Sequence, residues 1–172
     1  ADGAPRARVV AHLDRVRARA HSETRARVHS QNNFPMGAGI ASSASAFAAL
    51  SLAATRAAGL ELSERELSIL ARQGSGSACR SIPGGFVEWL AGTESANSYA
   101  VPLAPPTFWD LRDIIVVVST TEKRVGSTNG HAAAPTSPFL ATRLAALPAR
   151  LAHVRRALFA RDLAALGVAL EQ

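Results

Sequence analysis

Apolar residues at helical spacing predict the first two elements of the chain. Valine and leucine recur at helical intervals among the arginines of residues 5–20, which predicts an amphipathic helix. Residues 44–58 are mostly alanine with interspersed phenylalanine and leucine, and they predict a second helix. Ser42 or Ser43 opens this helix, and Gly59 stands where a C-terminal cap is expected.

Two further helical regions follow along the chain. Ser63 and Glu66 have the spacing of a capping box, in which each side chain bonds the backbone of the other residue. A third helix is therefore expected to run to about Arg72. From Pro138 onward leucine recurs at helical spacing, and Pro148 is expected to start a new helix rather than to interrupt one.

Four segments predict strands, with prolines and Asn97 marking turns between them. Interleaved with the helices, these strands give an α+β order of elements. No internal repeat or low-complexity linker interrupts that order. The predicted strands are residues 26–34, 85–90, 99–103 and 114–119.

The composition is that of a globular chain with one core. With 172 residues, 48% of them hydrophobic, the chain is long enough for one domain but not for two ordinary ones. No run of about 18 apolar residues occurs, so no membrane span is predicted. The arginine-rich start lacks the apolar core of a secretory signal. A cytoplasmic location is therefore expected, and the single cysteine fits a reducing compartment.

Neither the cysteine nor the histidines predict a special site. Arg80 could lower the pKa of the neighbouring Cys79 thiol, but a small buried filler beside a tight turn is the favoured interpretation. The histidines lack the spacing of metal ligands, so no metal site is predicted and they are expected to be surface or packing residues. They include His12, His21, His29 and His153.

The net charge of +6 lies in the two ends of the chain. Residues 1–30 hold seven arginines against three acidic residues, and residues 140–172 hold five against two. A patch that binds nucleic acid would be expected to carry aromatic stacking platforms, yet aromatics make up only 5% of the chain. Solvated helix faces explain the charge best. No nucleic-acid or membrane partner is expected, and a basic nucleic-acid-binding module is the alternative from another functional class.

A glycine-rich segment before the second helix is suited to hold an anion. Residues 35–44 contain two glycines and small side chains, which let backbone N–H groups approach a ligand closely. The first-turn amides of the helix have no internal partners and carry a partial positive charge, so an anion is stabilised there. The motif alone is weak, because any glycine-rich turn before a helix shares this pattern.

A second segment, residues 74–80, strengthens this prediction. Serine hydroxyls alternate with glycines, and Arg80 follows. A guanidinium binds carboxylate or phosphate through two parallel hydrogen bonds, which makes Arg80 the strongest single candidate. The two segments together predict an anion site and point to phosphate chemistry.

The residues that carry these motifs resemble the diphosphomevalonate decarboxylases, a family of the GHMP small-molecule kinase superfamily. The resemblance covers nearly the whole chain. It implies part of the ribosomal protein S5 domain 2-like two-layer fold, with the end of the N-terminal domain over about residues 1–120 and the start of the C-terminal helical region over about 121–172. The matching segments are Asn32 to Pro35, Gly39 to Ala44, Gly74 to Arg80, Gly84 to Trp89, Glu122 to Arg124, Gly126 to Thr128 and Pro148 to Arg150.

The resemblance also implies an activity. Members of the family use ATP and Mg²⁺ to phosphorylate the tertiary 3-hydroxyl of a mevalonate phosphate, after which phosphate and carbon dioxide leave and give an isopentenyl product. Arg80 is then expected to bind the C1 carboxylate. The ATP phosphates are expected at Gly39, Ile40, Ala41, Ser42, Ser43 and Ala44. The phosphate chain of the substrate is expected at Ser75, Ser77, Ser127 and His131.

Two departures from the family pattern qualify this expectation. Family members are roughly twice as long, and neither their N-terminal lysine and tyrosine nor their catalytic aspartate is present, so this piece alone is expected to be inactive. His131 replaces the methionine of the loop Ser-Thr-x-Gly-Met, which leaves the 5-monophosphate of mevalonate open as the substrate. A sister kinase of the same fold is a further alternative, although it would not be expected to carry residues 74–80. Dimers are common in the family, so a homodimer stays open.

Overall fold

The computed structural model of the chain describes residues 3–34, 40–116 and 127–171. They divide into two compact units, with the boundary between Glu122 and Lys123. Within the described residues, the first unit holds three α-helices and a two-stranded sheet, and the second holds helices.

The first two predicted helices are confirmed. Helix α1 (Ala4–Ala20) begins with a proline in its first turn, where the missing N–H costs nothing. Helix α2 (Ser42–Ala57) is followed by Ala58 and Gly59, and Gly59 has a φ of +71° that glycine adopts without strain. The Gly59 N–H donates to the Arg56 carbonyl at 3.0 Å and the Leu60 N–H to the Thr55 carbonyl at 2.9 Å. These two bonds form a Schellman motif, as the sequence predicts.

Helix α3 (Glu64–Gly74) begins with the predicted capping box. The Ser63 N–H donates to Glu66 Oε2 at 2.9 Å, and the Glu66 N–H donates to Ser63 Oγ at 3.3 Å. The hydrogen bond from the Ser63 side chain lowers the pKa of Glu66. A 3-10 segment, Gly76–Ser81, follows α3 and carries the second glycine-serine motif.

The core of the first unit lies where α2, α3 and the 3-10 segment meet. Ser68 of α3 is fully buried and links three elements: its Oγ donates to the Cys79 carbonyl at 3.1 Å and accepts from the Ala100 N–H at 2.9 Å. Both of its hydrogen-bonding roles are thereby satisfied. The apolar core residues are Ala44, Phe47, Ala48, Ala71 and Ala78, with Leu50 and Ile82 packed against them.

The predicted strands over residues 85–90 and 99–103 are confirmed. Strand β1 (Phe86–Trp89) pairs antiparallel with β2 (Ala100–Ala104), and the register shifts between Phe86 and Val87. A pair of strands is not stable by itself, so this hairpin depends on its packing against α3 and the 3-10 segment.

The two remaining strand predictions are not confirmed. Residues 26–34 form no strand, and neither do residues 114–116; residues 117–119 of the second prediction lie outside the described residues. A strand is defined by a hydrogen-bonded neighbour, and within the described residues neither segment has one. Ile114 and Val116 are 86% and 76% exposed, so the apolar pattern that predicted a buried strand has no packing partner there.

The second unit contains α4 (Ser127–Ala133), a 3-10 segment Ala134–Thr136, α5 (Leu140–Ala160) and α6 (Leu163–Glu171). Helix α5 ends at Arg161, which has a φ of +53°. Asp162 then caps α6, because its Oδ1 accepts the Ala165 N–H at 2.9 Å. None of the helices in the described ranges is long and apolar enough to cross a membrane.

The prediction that Pro148 starts a new helix was wrong, since Pro148 lies inside the 21-residue helix α5. Proline removes its own N–H and therefore one backbone bond, to the carbonyl of Leu144, while the turns on either side keep theirs. Buried Ala157 and Leu158 near the end of α5 face a packed neighbour, α6, and this packing stabilises the helix despite the lost bond.

His12 of α1 is a packing residue, and it is fully buried against α2. Its ring packs edge to face against the Phe47 ring, with 5.3 Å between the two ring centres, and its Nε2 lies 2.9 Å from Ser51 Oγ. Because the Ser51 hydroxyl donates its hydrogen to the Phe47 carbonyl at 2.6 Å, Nε2 must be the donor to Ser51. Nδ1 is then the lone-pair nitrogen of a neutral ring, and it has no hydrogen-bond partner among the described residues. Burial, followed by the charge of Arg15, lowers the pKa of His12 to about 4.

Acidification is expected to destabilise the first unit through His12. The pKa in the folded state lies below the usual histidine value of 6.5, so the unfolded chain binds more protons as pH falls from 6.5 to about 4, and stability decreases in that window. The expected loss is about 2–3 kcal/mol of the free energy of unfolding. Urea denaturation at neutral and acidic pH measures it.

The matched comparison uses two histidine substitutions. In His12→Gln the amide keeps a donor for Ser51 but does not titrate, so the pH dependence should shrink. His29 is exposed, and His29→Gln should retain the wild-type pH dependence. Identical pH dependence in all three proteins would show that His12 is not the group responsible.

Candidate functional site

The two glycine-serine motifs meet in the folded first unit. Ser43 lies in the first turn of α2, and Ser75 lies between α3 and the 3-10 segment. Their Oγ atoms are 3.1 Å apart in a half-buried position, although 32 residues separate them in sequence. The sequence predicted both motifs but not this contact, because it depends on how α2 packs against the end of α3.

The N-terminus of α2 has no side-chain cap. Ala41 occupies the N-cap position with a φ of +52°, and its methyl group cannot bond the first amides. The prediction that Ser42 or Ser43 opens the helix is confirmed, since the helix begins at Ser42. The Ala44 N–H donates to the Ala41 carbonyl at 2.8 Å. The amides of Ser42 and Ser43 and the positive end of the helix dipole therefore lie beside the Ser43 hydroxyl, an arrangement that suits an anion.

The 3-10 segment buries one side and exposes the other. Cys79 is fully buried, and its Sγ donates to the Gly76 carbonyl at 3.1 Å. Burial raises the pKa of the Cys79 thiol against the opposing effect of Arg80, which supports the filler interpretation over a reactive thiol. Arg80 is exposed, with its guanidinium carbon 5.7 Å from the centre of the Trp89 ring.

Trp89 supports Arg80 from β1. Its Nε1 donates to Ser98 Oγ at 2.9 Å, which fixes the plane of the indole ring. The ring face attracts the guanidinium and limits its rotamers without using any of its N–H donors. Arg80 thus keeps its fork of donors for a carboxylate or phosphate. Sequence reasoning found Arg80 but missed this support, because Trp89 alone gives no signal beyond that of a core residue.

The predicted site residues divide between the two units. The first unit brings together Ser43 and Ser75, and Arg80 lies on the same 3-10 segment as Ser77. In the second unit, His131 is exposed on α4, and Ser127 begins that helix. Gly39 lies outside the described residues. Ile40, Ala41, Ser42 and Ala44 lie at or next to the start of α2.

The chemistry of these donors suits the phosphates of a nucleotide. Uncapped amides and hydroxyls hold phosphate oxygens without carrying charge themselves. Among residues 3–34, 40–116 and 127–171, no group of three or more histidine, cysteine or acidic side chains could hold a metal ion.

Two family models match the chain. The diphosphomevalonate decarboxylase-like N-terminal domain matches residues 1–100, and the mevalonate 5-diphosphate decarboxylase C-terminal domain matches residues 113–170. Diphosphomevalonate decarboxylase mvd1 of Aspergillus fumigatus is 47% identical over 143 residues, which are 80% of this chain and 35% of that protein. The chain thus spans about a third of the length of this relative.

Solved structures agree with the sequence comparisons. The crystal structure of mevalonate diphosphate decarboxylase from Staphylococcus aureus has a TM-score of 0.89 and 38% identity, and covers 99% of this chain and 52% of that one. The complex of MDDEF with MVAPP, AMPPCP and magnesium has a TM-score of 0.83 and 36% identity, covering 95% and 51%. The α+β fold of these enzymes, that of the GHMP kinases, is confirmed. By sequence and by structure, the chain belongs to the diphosphomevalonate decarboxylase family.

Proposed function

We propose that the protein decarboxylates diphosphomevalonate with ATP and Mg²⁺, giving isopentenyl diphosphate, carbon dioxide, ADP and phosphate. The contact between the Ser43 and Ser75 hydroxyls carries this proposal. It joins a helix N-terminus suited to one phosphate chain with a serine-rich segment suited to another. A reaction that transfers a phosphoryl group to a phosphorylated acid needs both chains in neighbouring positions.

At the nucleotide end, residues 39–44 would hold the ATP phosphates through backbone amides, with the Ser43 hydroxyl as a further donor. The amides of Ser42 and Ser43 and the Ser43 hydroxyl are fixed by α2 before the ligand binds, so charge that develops on the transferred phosphoryl group meets dipoles already in place. Mg²⁺ bound to ATP supplies the charge that offsets the phosphate oxygens. The similar solved structure of MDDEF in complex with MVAPP, AMPPCP and magnesium supports the use of ATP and Mg²⁺.

At the acid end, Arg80 would bind the C1 carboxylate. Its guanidinium neutralises the carboxylate while the 3-hydroxyl is phosphorylated and keeps the carboxyl group oriented for its loss as carbon dioxide. Ser75 and Ser77 would hold the phosphate chain of the substrate, with Ser127 and His131 as further candidates on the second unit.

The proposal is tested with the full-length protein by measuring carbon dioxide and ADP from ATP and diphosphomevalonate. Equal amounts of both products are expected. ADP without carbon dioxide would instead identify a sister kinase. The absence of both products would refute the proposal. Tight binding of nucleic acid that survives moderate salt would favour the basic binding module.

Ser43→Ala is expected to raise KM for ATP about fivefold, which corresponds to the free energy of one lost hydrogen bond. Binding of the phosphorylated acid should change little. Kinetics and calorimetry with each ligand measure the two effects. Ser45→Ala is the matched control, because the exposed Ser45 hydroxyl bonds the Ser42 carbonyl of its own helix. If Ser43→Ala weakens both ligands equally and lowers the melting temperature, Ser43 serves the helix rather than ATP.

His131→Met is expected to raise the preference for the 5-diphosphate over the 5-monophosphate of mevalonate about threefold or more. An imidazole can donate a hydrogen bond beside an anion, whereas methionine can only pack. The measurement is the ratio of kcat/KM for the two substrates, with His29→Met as a control at an exposed histidine. An unchanged ratio would mean that His131 plays no part in selecting the substrate.

A further inference from the structure

Arg8 of helix α1 makes a hydrogen bond to Gly74, the residue that precedes Ser75. The Arg8 Nη2 atom donates to the carbonyl oxygen of Gly74 at 3.0 Å, although 66 residues separate the two in sequence. The same guanidinium lies over the Phe47 ring, 5.0 Å from its centre. A charged donor that also stacks on a ring is held in a narrower range of orientations than an ordinary surface arginine. Arg8 therefore joins α1, α2 and the end of α3 at one point.

Gly74 approaches α1 and α2 too closely for any side chain. A Cβ atom on Gly74 would lie 2.2 Å from Phe47 Cδ1 and 2.8 Å from His12 Nδ1. Since Nδ1 is the lone-pair nitrogen of the neutral ring, it faces Gly74 without an N–H that would need an acceptor there. The packing of Phe47 and His12 against Gly74 and the hydrogen bond from Arg8 together fix the position of Gly74.

A shift of Gly74 would be passed on to Ser75, the next residue. The Ser75 N–H donates to the Ala71 carbonyl at 3.1 Å, and its carbonyl accepts from the Ala78 N–H at 2.8 Å. Its hydroxyl is the one that contacts Ser43. One peptide bond thus joins Gly74 to the residue whose hydroxyl contacts Ser43.

We propose that Arg8 and His12 are positioning residues, which fix Ser75 relative to Ser43 from helix α1. Neither residue belongs to the two glycine-serine motifs. The catalytic consequence rests on the proposed function, in which Ser43 serves ATP and Ser75 serves the phosphorylated acid. A displacement of about 1 Å in a substrate-holding group can cost a large part of the rate, so a hydrogen bond outside the site can matter for turnover.

The test compares Arg8→Ala with Arg15→Ala in the full-length protein. Both arginines are exposed on α1 and carry the same charge, but Arg15 bonds the Ala11 carbonyl of its own helix at 3.3 Å. Arg8→Ala is expected to raise KM for diphosphomevalonate about fivefold, with KM for ATP changed less than about twofold. Arg15→Ala should change neither. Arg8→Lys, which keeps a charged donor, should recover part of the loss.

Hydrogen–deuterium exchange provides a second measurement that does not depend on activity. In Arg8→Ala the backbone amides of residues 74–80 should exchange faster, while those of β1 and β2 keep the wild-type rate. His12→Leu should have the same effect on residues 74–80, and His12→Gln, which keeps the donor to Ser51, should restore slow exchange. If His12→Leu does not fold, the arginine pair decides the question by itself.

The outcomes separate the two proposals. Unchanged exchange at residues 74–80 in Arg8→Ala overturns the positioning role, whatever the enzyme's activity. Equal effects of Arg8→Ala and Arg15→Ala, or a rise in both KM values together, overturn it as well, because they indicate a general loss of charge or stability. Faster exchange in Arg8→Ala alone supports the positioning role even if the wild-type protein proves inactive on both mevalonate phosphates, a result that would refute only the proposed function.

Discussion

Arg80→Ala is expected to lower kcat/KM for the phosphorylated acid more than thirtyfold, which corresponds to a loss of at least ~2 kcal/mol of transition-state stabilisation. Truncation removes a charged fork of donors, and alanine leaves the substrate carboxylate without a partner. Since Arg80 is exposed and contacts the Trp89 ring from outside the core, the substitution should leave the melting temperature nearly unchanged. Steady-state kinetics of the full-length protein measure the effect.

Arg65 provides the matched control for this substitution. Its guanidinium carbon lies 4.4 Å from the centre of the Tyr99 ring, and its Nη2 donates to the Ala96 carbonyl at 3.0 Å. Arg65→Ala therefore removes an exposed arginine with a similar ring contact, but outside the two motifs. A decrease of less than about threefold in kcat/KM for Arg80→Ala, or an equal decrease in both variants, would assign Arg80 a peripheral role.

Gly85→Ala is expected to destabilise the first unit by about 3 kcal/mol or more, the largest effect on stability among these substitutions. Gly85 has a φ of +81°, which alanine adopts only with strain. A Cβ there would also lie 2.2 Å from the Ala104 carbonyl oxygen and 2.9 Å from Pro105 C. These are backbone atoms of the neighbouring strand end, which cannot rotate away as a side chain can.

Gly84 is the natural control, because it is the preceding residue and a Cβ on it meets no atom within 4 Å. Gly84→Ala is expected to change the free energy of unfolding by less than about 0.5 kcal/mol. Urea denaturation of both variants measures the difference. Equal stability of the two variants would show that the hairpin adjusts its backbone around residue 85 at little cost.

Local signals predicted much of the fold from sequence. The capping box at Ser63 and Glu66 and the glycine at position 59 act through bonds within a few residues, so the structure reproduces both. Residues 26–34 show the opposite case. Their pattern suits a strand, but a strand needs a neighbour from elsewhere in the chain, and no local signal can supply one. The prediction that Pro148 starts a new helix was wrong for a related reason, since packing of α5 against α6 outweighs the one backbone hydrogen bond lost.

The candidate site was predictable in its residues but not in its geometry. Arg80, Ser43 and Ser75 follow from motif chemistry and from the family resemblance, which identifies residue types at fixed spacing. Their arrangement follows from long-range packing: Ser43 meets Ser75 because α2 packs on the end of α3, and Arg8 reaches Gly74 across 66 residues. A surface arginine and a buried histidine on α1 carry no sequence signal for such a role.

The buried thiol of Cys79 gives this chain an internal reporter of its own opening. The chain has one cysteine, which is fully buried and belongs to the same 3-10 segment as Ser77 and Arg80. An alkylating reagent reaches a buried thiol only when the surrounding structure opens, so the rate of modification measures how often that segment leaves its packed position. A ligand that binds the packed segment slows this rate. The modification rate of the Cys79 thiol therefore reports whether a ligand occupies the site beside Arg80.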